Sequence, residues 1–564
     1  MCAVVTALAA LWIVPGEAQN RRRGGPSDWS HARIMAARFG PDGDRNIELN
    51  WRSARKQMQL RWAQQSRDHH QDWLDLLLSR RRKSPADTQP PHLDWNLRTG
   101  GYGNVVGTPA KYNFDISTFS CSDVIYFTVD QVGSASAPNV IAITNAYAGC
   151  TGNATGATPT VKFGIALPYG TATSAVPSFD GTVLYVMQSR PSANGGPILH
   201  AINVNNITTN PGAYNFTTNV WTQTHTLSAS PIGTAASEQL FQLTYAGITN
   251  NVASPYLDYE TNQIFFGDSA GRIHRVTGVN TAAAAKYTSN GFPVACGTAQ
   301  LQSPVYWGNQ VFATSADGRV YRVNLAGATP YASIRSYQGG AGTSVGGGLS
   351  APVLDVTNDK LVTSTNDVNG IGGRAYGAFN LAFAVDELPT SWLSTGPTST
   401  TIAPVSPAFD DAFWSTNSGS LYGAGTNTLG TNTYLVRISY DGELGSITGR
   451  AALAHTGGTA VVSTSPVTEF LTGAASNPDF LFIGGGSGNY RYVNRISAGF
   501  TGSDLAPSAM AGSFAPAQGV VSGIIIDTNL AAMTGSTAKA NIYFGTVGVA
   551  STTMSTIVQL AQAF

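Results

Sequence analysis

Two stretches of this sequence repeat each other in register: NQIFFGDSAGRIHRV at residues 262–276 and NQVFATSADGRVYRV at residues 309–323. Each consists of two runs rich in β-branched and aromatic residues around a turn, at Gly271 in the first and at Asp317–Gly318 in the second. This pattern is typical of a β-hairpin. Related hairpin patterns lie at residues 182–204, 479–496 and 541–561. The recurrence indicates a repeat architecture.

A proline-led motif precedes these hairpins and consists of a small residue, Pro, two mostly apolar residues and often Asp. Its clear copies are VPSFD (176–180), SPYLD (254–258), SPVYW (303–307), APVLD (351–355), SPAFD (406–410) and SPVTE (465–469). TPAKY (108–112) is a weaker copy, and VSGIIID (521–527) lacks the proline. Counted from Pro109, the prolines are 68, 78, 49, 48, 55 and 59 residues apart. Proline is tolerated at the first residue of a strand, so each motif predicts where a strand begins.

The two motifs together predict an all-β fold. A short strand, a hairpin and a looser fourth run, repeated every ~40–60 residues, form the four-stranded blade of a β-propeller. Eight units fit the sequence best, and seven is the alternative. Because a closed ring leaves no long open sheet edge, we expect an N-terminal strand at Asn96–Val106 to complete the last blade.

Charge is distributed unevenly along the chain. Residues 1–99 contain 26 charged side chains, whereas residues 100–564 contain only 38. The shift predicts a boundary near the proline-rich stretch at residues 84–91, with a helical extension and linker over residues 19–95 and the propeller over residues 96–564. The formal net charge is zero, which gives no global support to a nucleic-acid partner.

The first 18 residues have the pattern of a signal peptide. An apolar run at Ala3–Val14 is followed by small residues at Gly16 and Ala18, the spacing of a signal-peptidase site. The run is too short to span a bilayer. We therefore expect a secreted protein, periplasmic or extracellular. The alternative is a membrane-tethered or misread start.

Residues 44–78 predict an amphipathic helix. One stripe is apolar because its members are separated by nearly whole numbers of helical turns: Trp51, Met58, Trp62, Trp73 and Leu77. The stripe fits a helix that docks on the neighbouring domain. It also fits peripheral contact with a membrane or a partner protein.

The cysteines predict one disulfide. Cys121 begins one β-rich run and Cys150 ends the next, with the midpoint between them in the loop at residues 133–138. A hairpin folded at that loop brings the two cysteines opposite each other. Closing a ~30-residue loop contributes about 3–4 kcal/mol in the chain-entropy model. A disulfide also agrees with export, and Cys296 is expected to be a buried, unpaired residue.

The sequence contains no pattern from which catalytic or metal-binding residues can be assigned. Four histidines are scattered through the repeat region, at positions 200, 225, 274 and 455, without the paired spacing of a metal site. Gly342–Gly346 matches G-x-S-x-G, but it lies in a glycine run between blades rather than on a strand–elbow–helix. We therefore predict no catalytic residue and no metal.

The longest insertion, residues 205–247, contains three aromatic residues: Tyr214, Phe216 and Trp221. Long loops on a rigid ring commonly carry binding residues, so these rings are candidate ligand contacts. The alternative is a fourth strand with extra turns.

The repeat resembles the degenerate quinoprotein-like (PQQ-type) β-propeller repeats of secreted bacterial proteins, over roughly residues 96–564. The resemblance implies the propeller fold. Quinoprotein dehydrogenases carry a tryptophan docking pattern, a calcium-binding acidic set and often vicinal cysteines, and none of these occurs here in register. We therefore expect no cofactor, and a secreted, non-catalytic propeller that binds a protein or glycan. The alternatives are a quinone-dependent or carbohydrate-active enzyme and an envelope-assembly scaffold.

Overall fold

A computed structural model gives the fold of the repeat region. It describes residues 25–26, 92–113, 120–147, 150, 159–171, 173–234, 236–248, 252–259, 261–325, 330–333, 349–356, 358–365, 374–383, 389–396, 405–409, 413, 418–426, 433–452, 465–470, 479–485, 488–494, 508–509, 522–528, 539–546 and 554–563. The predicted signal peptide and the predicted Trp-striped helix lie outside these ranges.

The described strands form eight antiparallel sheets around a ring. A two-residue strand, β1 (Gly25–Pro26), pairs with the first strand of blade 1, and β2 (His92–Arg98) precedes that blade. Blade 1 contains β3 (Asn104–Asn113), β4 (Val124–Asp130), β5 (Val140–Thr144) and β6 (Thr160–Ile165). Blade 2 contains β7 (Val176–Pro177), β8 (Val183–Gln188), β9 (Ile198–Asn203) and β12 (Gln239–Thr244), with the separate hairpin β10 (Ala213–Asn215) and β11 (Val220–Gln223) inserted before β12.

The next three blades follow without a large insertion. Blade 3 contains β13 (Tyr256–Asp258), β14 (Gln263–Gly267), β15 (Arg272–Thr277), β16 (Ala285–Lys286) and β17 (Val294–Ala295), the last two both paired with β15. Blade 4 contains β18 (Val305–Trp307), β19 (Gln310–Thr314), β20 (Val320–Asn324) and β21 (Pro330–Ser333). Blade 5 contains β22 (Val353–Asp355), β23 (Lys360–Thr365), β24 (Arg374–Asn380) and β25 (Ser391–Gly396).

Three blades complete the ring. Blade 6 contains β26 (Ala408–Phe409), β27 (Gly419–Thr426), β28 (Thr433–Tyr440) and β29 (Leu444–Ala452). Blade 7 contains β30 (Thr468–Phe470), β31 (Asp479–Gly485), β32 (Gly488–Asn494) and β33 (Ser508–Ala509). Blade 8 contains β34 (Ile525–Thr528), β35 (Lys539–Gly545), β36 (Thr556–Ala563) and, as its fourth strand, β2. The all-β propeller predicted from the repeats is confirmed, with eight blades rather than seven.

The ring closes by pairing the start of the described propeller with its end. Strand β2 runs antiparallel to β36, so that Leu97 lies opposite Ile557. The closing strand is His92–Arg98 and not Asn96–Val106 as predicted from the sequence. Gly100 has a φ of 82°, a conformation that suits glycine, and the chain turns there before entering β3. The predicted segment therefore contains the end of one strand, a turn and the start of another.

The second strands of blades 2 and 5 are buried on both of their faces. All six residues of β8 and all six of β23 are buried, because a neighbouring blade covers each side of the sheet. A sheet packed on one side only leaves its other face in solvent, so this burial pattern is the direct consequence of stacking blades around a ring. The side chains between blades form continuous apolar clusters, one of which joins blades 3, 4 and 5.

Hydroxyl groups explain why a small polar residue so often precedes the proline of the repeat. The Ser254 hydroxyl accepts a hydrogen bond from the Ser174 amide of the neighbouring blade at 3.0 Å, and the Ser406 hydroxyl donates to the Ala351 carbonyl at 2.8 Å. Four hydroxyls on other strands also donate to a carbonyl of the next blade: Thr128 to Thr173, Thr314 to Ser350, Ser364 to Val405 and Thr468 to Ile524, at 2.6, 2.6, 2.8 and 2.6 Å. These bonds fix neighbouring blades to each other where the first strands approach the axis.

His200, in blade 2, gives the fold a dependence on pH. One ring nitrogen lies 2.8 Å from Gln239 Oε1 and the other lies 3.0 Å from the side-chain amide of Gln188, and burial lowers the pKa of His200 to about 4. The unfolded chain has a histidine pKa of about 6.5 and binds the proton more tightly. Its contribution to stability is therefore complete above pH 6.5 and is lost as the pH falls towards 4.

We expect the His200→Gln variant to lose less stability on acidification than the wild type. Between pH 7 and pH 5 the free energy of unfolding of the wild type should fall by about 2 kcal/mol more than that of the variant. Over this range the unfolded chain binds a proton at His200, whereas the folded chain hardly does. Urea unfolding at the two pH values measures it, with His225→Gln as a matched histidine control. Equal losses in wild type and His200→Gln would contradict a neutral, buried His200.

Within the described residues, no helix has the length and apolar character needed to cross a bilayer.

Candidate functional site

Three loops meet at one end of the ring, beside the closing strand. Successive strands of a blade alternate in direction, so the loop between the second and third strands lies at the same end as the loop leading to the next blade. Residues 99–103, 131–139 and 166–171 are loops of these two kinds in blades 8 and 1. We call these three loops the platform.

Gln131 joins the first two loops of the platform. Its side-chain nitrogen donates to the Pro138 carbonyl at 2.7 Å and to the Thr99 carbonyl at 3.3 Å, while its oxygen accepts from the Gly103 amide at 3.4 Å. Thr99 is in turn bound to blade 8, since its amide donates to the Ser555 carbonyl at 3.0 Å. The loop that follows the closing strand is therefore hydrogen-bonded both to the second loop and to blade 8.

Asn139 connects the second and third loops through the hydrogen bonds of its side chain. It is completely buried, and its side-chain nitrogen lies within 3.0 Å of the carbonyl oxygens of Gln131, Leu167 and Tyr169. Its side-chain oxygen accepts from the Leu167 amide at 2.9 Å. Because a buried amide that lost these partners would leave several polar groups unsatisfied, the three loops are fixed in one arrangement.

The platform exposes two apolar side chains on this fixed backbone. Tyr102 is 45% exposed and Val132 is 67% exposed, and both belong to the small group of large apolar side chains that the described residues leave open to solvent. Glycines at 101 and 103 flank Tyr102, so no neighbouring side chain in its own loop covers the ring. A tyrosine presents an apolar ring with a polar hydroxyl at its end, a combination common at binding surfaces. The platform can therefore contact a partner without rearranging.

The aromatic insertion residues lie on the outer edge of the ring, next to the platform. The Thr224 hydroxyl donates to the Ser134 carbonyl at 2.7 Å, and the Ala166 amide donates to the His225 carbonyl at 2.8 Å. The chain after β11 runs beside β6 of blade 1, and Ile165 and His225 form a parallel bridge there. The Trp221 ring nitrogen donates to the Arg98 carbonyl at 2.9 Å, and the Tyr214 hydroxyl accepts from the Arg98 amide at 2.9 Å. The insertion thus holds the last residue of the closing strand.

Trp221 has a packing role that the sequence did not predict. It is 2% exposed and belongs to the apolar cluster between blades 8 and 1. Gly164 of β6 leaves room for it, because an added Cβ would collide with the indole ring. Tyr214 and Phe216 pack on its outer side with their ring centroids 4.8 Å apart and are half-buried. The fourth strand of the blade, β12, lies within the same insertion, after the hairpin, as the alternative interpretation expected. A ligand role for the two half-buried rings stays a prediction.

Cys121 and Cys150 are joined in a disulfide, with their Cα atoms 5.3 Å apart. The bridge lies at the end of blade 1 opposite to the platform and links the loop before β4 to the loop after β5. Cys296 is unpaired, as predicted, and is half-buried against the cluster between blades 3 and 4. Burial raises the pKa of the Cys296 thiol, which keeps it protonated and unreactive at neutral pH.

Removing the bridge should cost about 3 kcal/mol of stability, because a loop of 29 residues is then open in the unfolded chain. We expect the Cys121→Ser/Cys150→Ser variant to unfold at lower denaturant concentration than the wild type. Cys296→Ser is the control, since it removes a cysteine without opening a bridge. Intact mass before and after reduction should differ by two hydrogen atoms, and an unchanged mass would show that no bridge forms.

The remaining predicted site residues cannot be placed. Trp51, Met58, Trp62, Trp73 and Leu77 lie outside the described residues, as does the glycine run containing Ser344. Among the residues that the structure describes, no three His, Cys, Asp or Glu side chains form a group that could hold a metal ion.

Comparison with known proteins gives similarity of shape alone. No protein-family model matches the chain, and no curated protein matches it. The crystal structure of Saccharomyces cerevisiae Sqt1 is similar with a TM-score of 0.49 and 11% identity, covering 84% of this chain and 99% of that one. A crystal structure of the mitotic checkpoint complex is similar with a TM-score of 0.36 and 13% identity, covering 71% of this chain and 91% of that one. The eight-bladed ring is therefore assigned from the strand pairing.

Proposed function

We propose that this protein is a secreted, non-catalytic β-propeller that binds a protein or glycan partner through the platform. The observation that carries the proposal is the pairing of a fixed backbone with exposed apolar groups: Gln131 and Asn139 hold the loops, and Tyr102 and Val132 remain open to solvent. Fixed loops lose little conformational entropy on binding, so an exposed aromatic ring on them gives affinity at low cost.

Secretion is part of the same proposal. The Cys121–Cys150 bridge supports it, because disulfides persist in oxidising compartments. The signal-peptide pattern of residues 1–18 and the resemblance to the quinoprotein-like repeats of secreted bacterial proteins agree with it. Intact mass of the mature protein tests the expected cleavage after Ala18.

Loss of binding in platform variants tests the function. The purified protein is screened on a glycan array and against the secreted proteins of its own organism, and each ligand found is titrated. Tyr102→Ala/Val132→Ser should weaken binding at least about tenfold, since each side chain buries apolar area worth 1 kcal/mol or more. Val220→Ser is the matched control, because Val220 is 51% exposed but lies outside the three platform loops, on the neighbouring hairpin. Unchanged binding in the platform variant, or an equal loss in the control, would contradict the proposal.

A quinone-dependent enzyme is the alternative that the resemblance raises. Thermal unfolding with and without a quinone cofactor and calcium separates the two, because a ligand that binds only the folded state raises the unfolding temperature. The proposed function predicts no change. A rise of several degrees that platform variants do not affect would favour the enzyme.

The Trp-striped segment is a second proposed contact. A chain lacking residues 27–91 tests it, because these bounds keep both β1, which pairs with blade 1, and β2, which begins at His92. Equal recovery of a partner by the full and shortened chains would show that the segment does not recruit it.

A further inference from the structure

Blade 1 buries an ion pair at the same end of the sheet as the disulfide. The Lys111 amine and the Asp123 carboxylate are 3.3 Å apart, and their side chains are 0% and 1% exposed. Lys111 lies in the first strand of the blade and Asp123 immediately precedes the second. Desolvating two charges costs several kcal/mol per ion unless close partners compensate, so this pair depends on whatever excludes water from it.

Two short segments cover the pair. Tyr147 donates its hydroxyl to the same Asp123 oxygen at 2.8 Å, and Lys111 lies 5.5 Å from the centre of the Tyr147 ring. The other segment is Ser120–Asp123, whose Ser120 amide lies 3.4 Å from the Asp123 carboxylate. We call Ser120–Asp123 and Asn145–Tyr147 the cover.

The disulfide joins the two halves of the cover. Cys121 lies within the first half, and the Cys150 amide donates to the Tyr147 carbonyl of the second at 3.1 Å. The halves also meet through the Cys121 carbonyl, which accepts from the Thr144 hydroxyl at 2.8 Å and from the Asn145 amide at 3.0 Å. Cys121 is exposed, so a dithiol in solution can reach the bridge, whereas the buried ion pair cannot be reached.

We propose that the Cys121–Cys150 bridge is a redox-sensitive clamp that keeps the cover closed over Lys111. A dithiol reductant attacks one bridge sulfur as a thiolate and breaks the S–S bond. A mixed disulfide forms, and the second reductant thiol then resolves it. The reductant leaves as a disulfide, having given two electrons, and both cysteines become thiols. Without the clamp the cover opens locally, and water and small solutes reach the Lys111 amine, while the rest of the ring stays closed.

Lysine acetylation of the full-length protein tests the clamp. The oxidised protein and a reduced, iodoacetamide-blocked sample are each treated with a water-soluble acetyl ester, and peptide mass spectrometry gives the acetylated fraction at each lysine. Lys111 should react at least about tenfold faster after reduction, because opening a 29-residue loop weakens local closure by more than the ~1.4 kcal/mol that a factor of ten represents. Lys360 is the matched control, since it is also buried and paired, with Glu443, but lies in blade 5 away from any bridge.

The outcomes are distinct. A rise at Lys111 alone supports the clamp, and the Cys121→Ser/Cys150→Ser variant should reproduce it without reductant. No rise at Lys111 in the reduced protein overturns the proposal. A similar rise at Lys360 also overturns it, since opening would then be global. Reduced wild-type protein gives the answer even where the double variant fails to fold.

Discussion

Replacing Leu97 by aspartate is expected to unfold the propeller. Leu97 is completely buried in the closing strand, in the apolar cluster that joins blades 8 and 1. A carboxylate placed in this apolar cluster loses its hydration, so the cost should exceed about 4 kcal/mol, near the limit for single substitutions. Circular dichroism in the aromatic region should lose its folded signal, or the unfolding temperature should fall steeply.

Arg98→Asp is the matched control for this prediction. Arg98 is the next residue of the same strand and is exposed, so it introduces the same side chain without burial. We expect its stability to lie within about 1 kcal/mol of the wild type. If Leu97→Asp were as stable as Arg98→Asp, residues 92–98 would not be part of the core, and the ring would have to close in another way.

The second large effect is expected for Trp221→Ala, at about 3–5 kcal/mol of stability. The indole is 2% exposed, and its nitrogen donates to the carbonyl of Arg98. Truncation leaves a cavity between blades 8 and 1 and an unpaired carbonyl at the end of the closing strand. Urea unfolding measures the loss.

Two further variants identify the cause of the stability loss in Trp221→Ala. Trp221→Phe keeps most of the ring and removes the hydrogen bond, so it should cost less than Trp221→Ala. Val220→Ala changes an exposed side chain of the same hairpin and should have almost no effect. A Trp221→Ala protein as stable as the Val220→Ala protein would show that the insertion is an independent surface loop.

The ring itself was predictable because its signals are local and repeated. Proline limits where a strand can begin, and paired apolar runs around a Gly turn specify a hairpin. Each unit can therefore be recognised from a stretch of about 25 residues. The disulfide was predictable for a similar reason, since it closes the hairpin formed by β4 and β5.

The closing strand was only partly predicted because β-favouring residues lie on both sides of the glycines at 100, 101 and 103. Pairing with β36, more than 450 residues away, decides which of them form the fourth strand of blade 8. The sequence shows only that the glycines at 100 and 101 are compatible with a turn between two strands.

The platform and the role of Trp221 could not be predicted from local sequence patterns. Asn139 and Gln131 bind backbone atoms of other loops, up to about 30 residues away, and an amide side chain carries no sequence mark of its partners. Trp221 contacts Arg98 across 123 positions. An aromatic residue in a long loop looks the same in sequence whether it faces solvent or a groove between blades, and only the fold distinguishes the two.

A cross-link between the two ends of the propeller tests ring closure most directly. Arg98 lies opposite Thr556 in the β2–β36 pair, at a separation that suits a disulfide. We expect Arg98→Cys/Thr556→Cys to form this bridge under mild oxidation, and mass spectrometry should find it as a linked peptide. Arg98→Cys/Ala561→Cys should not, because Ala561 lies opposite His92 at the far end of the strand. Folded protein without the 98–556 link, or with equal linking in both variants, would contradict an eight-bladed ring closed by residues 92–98.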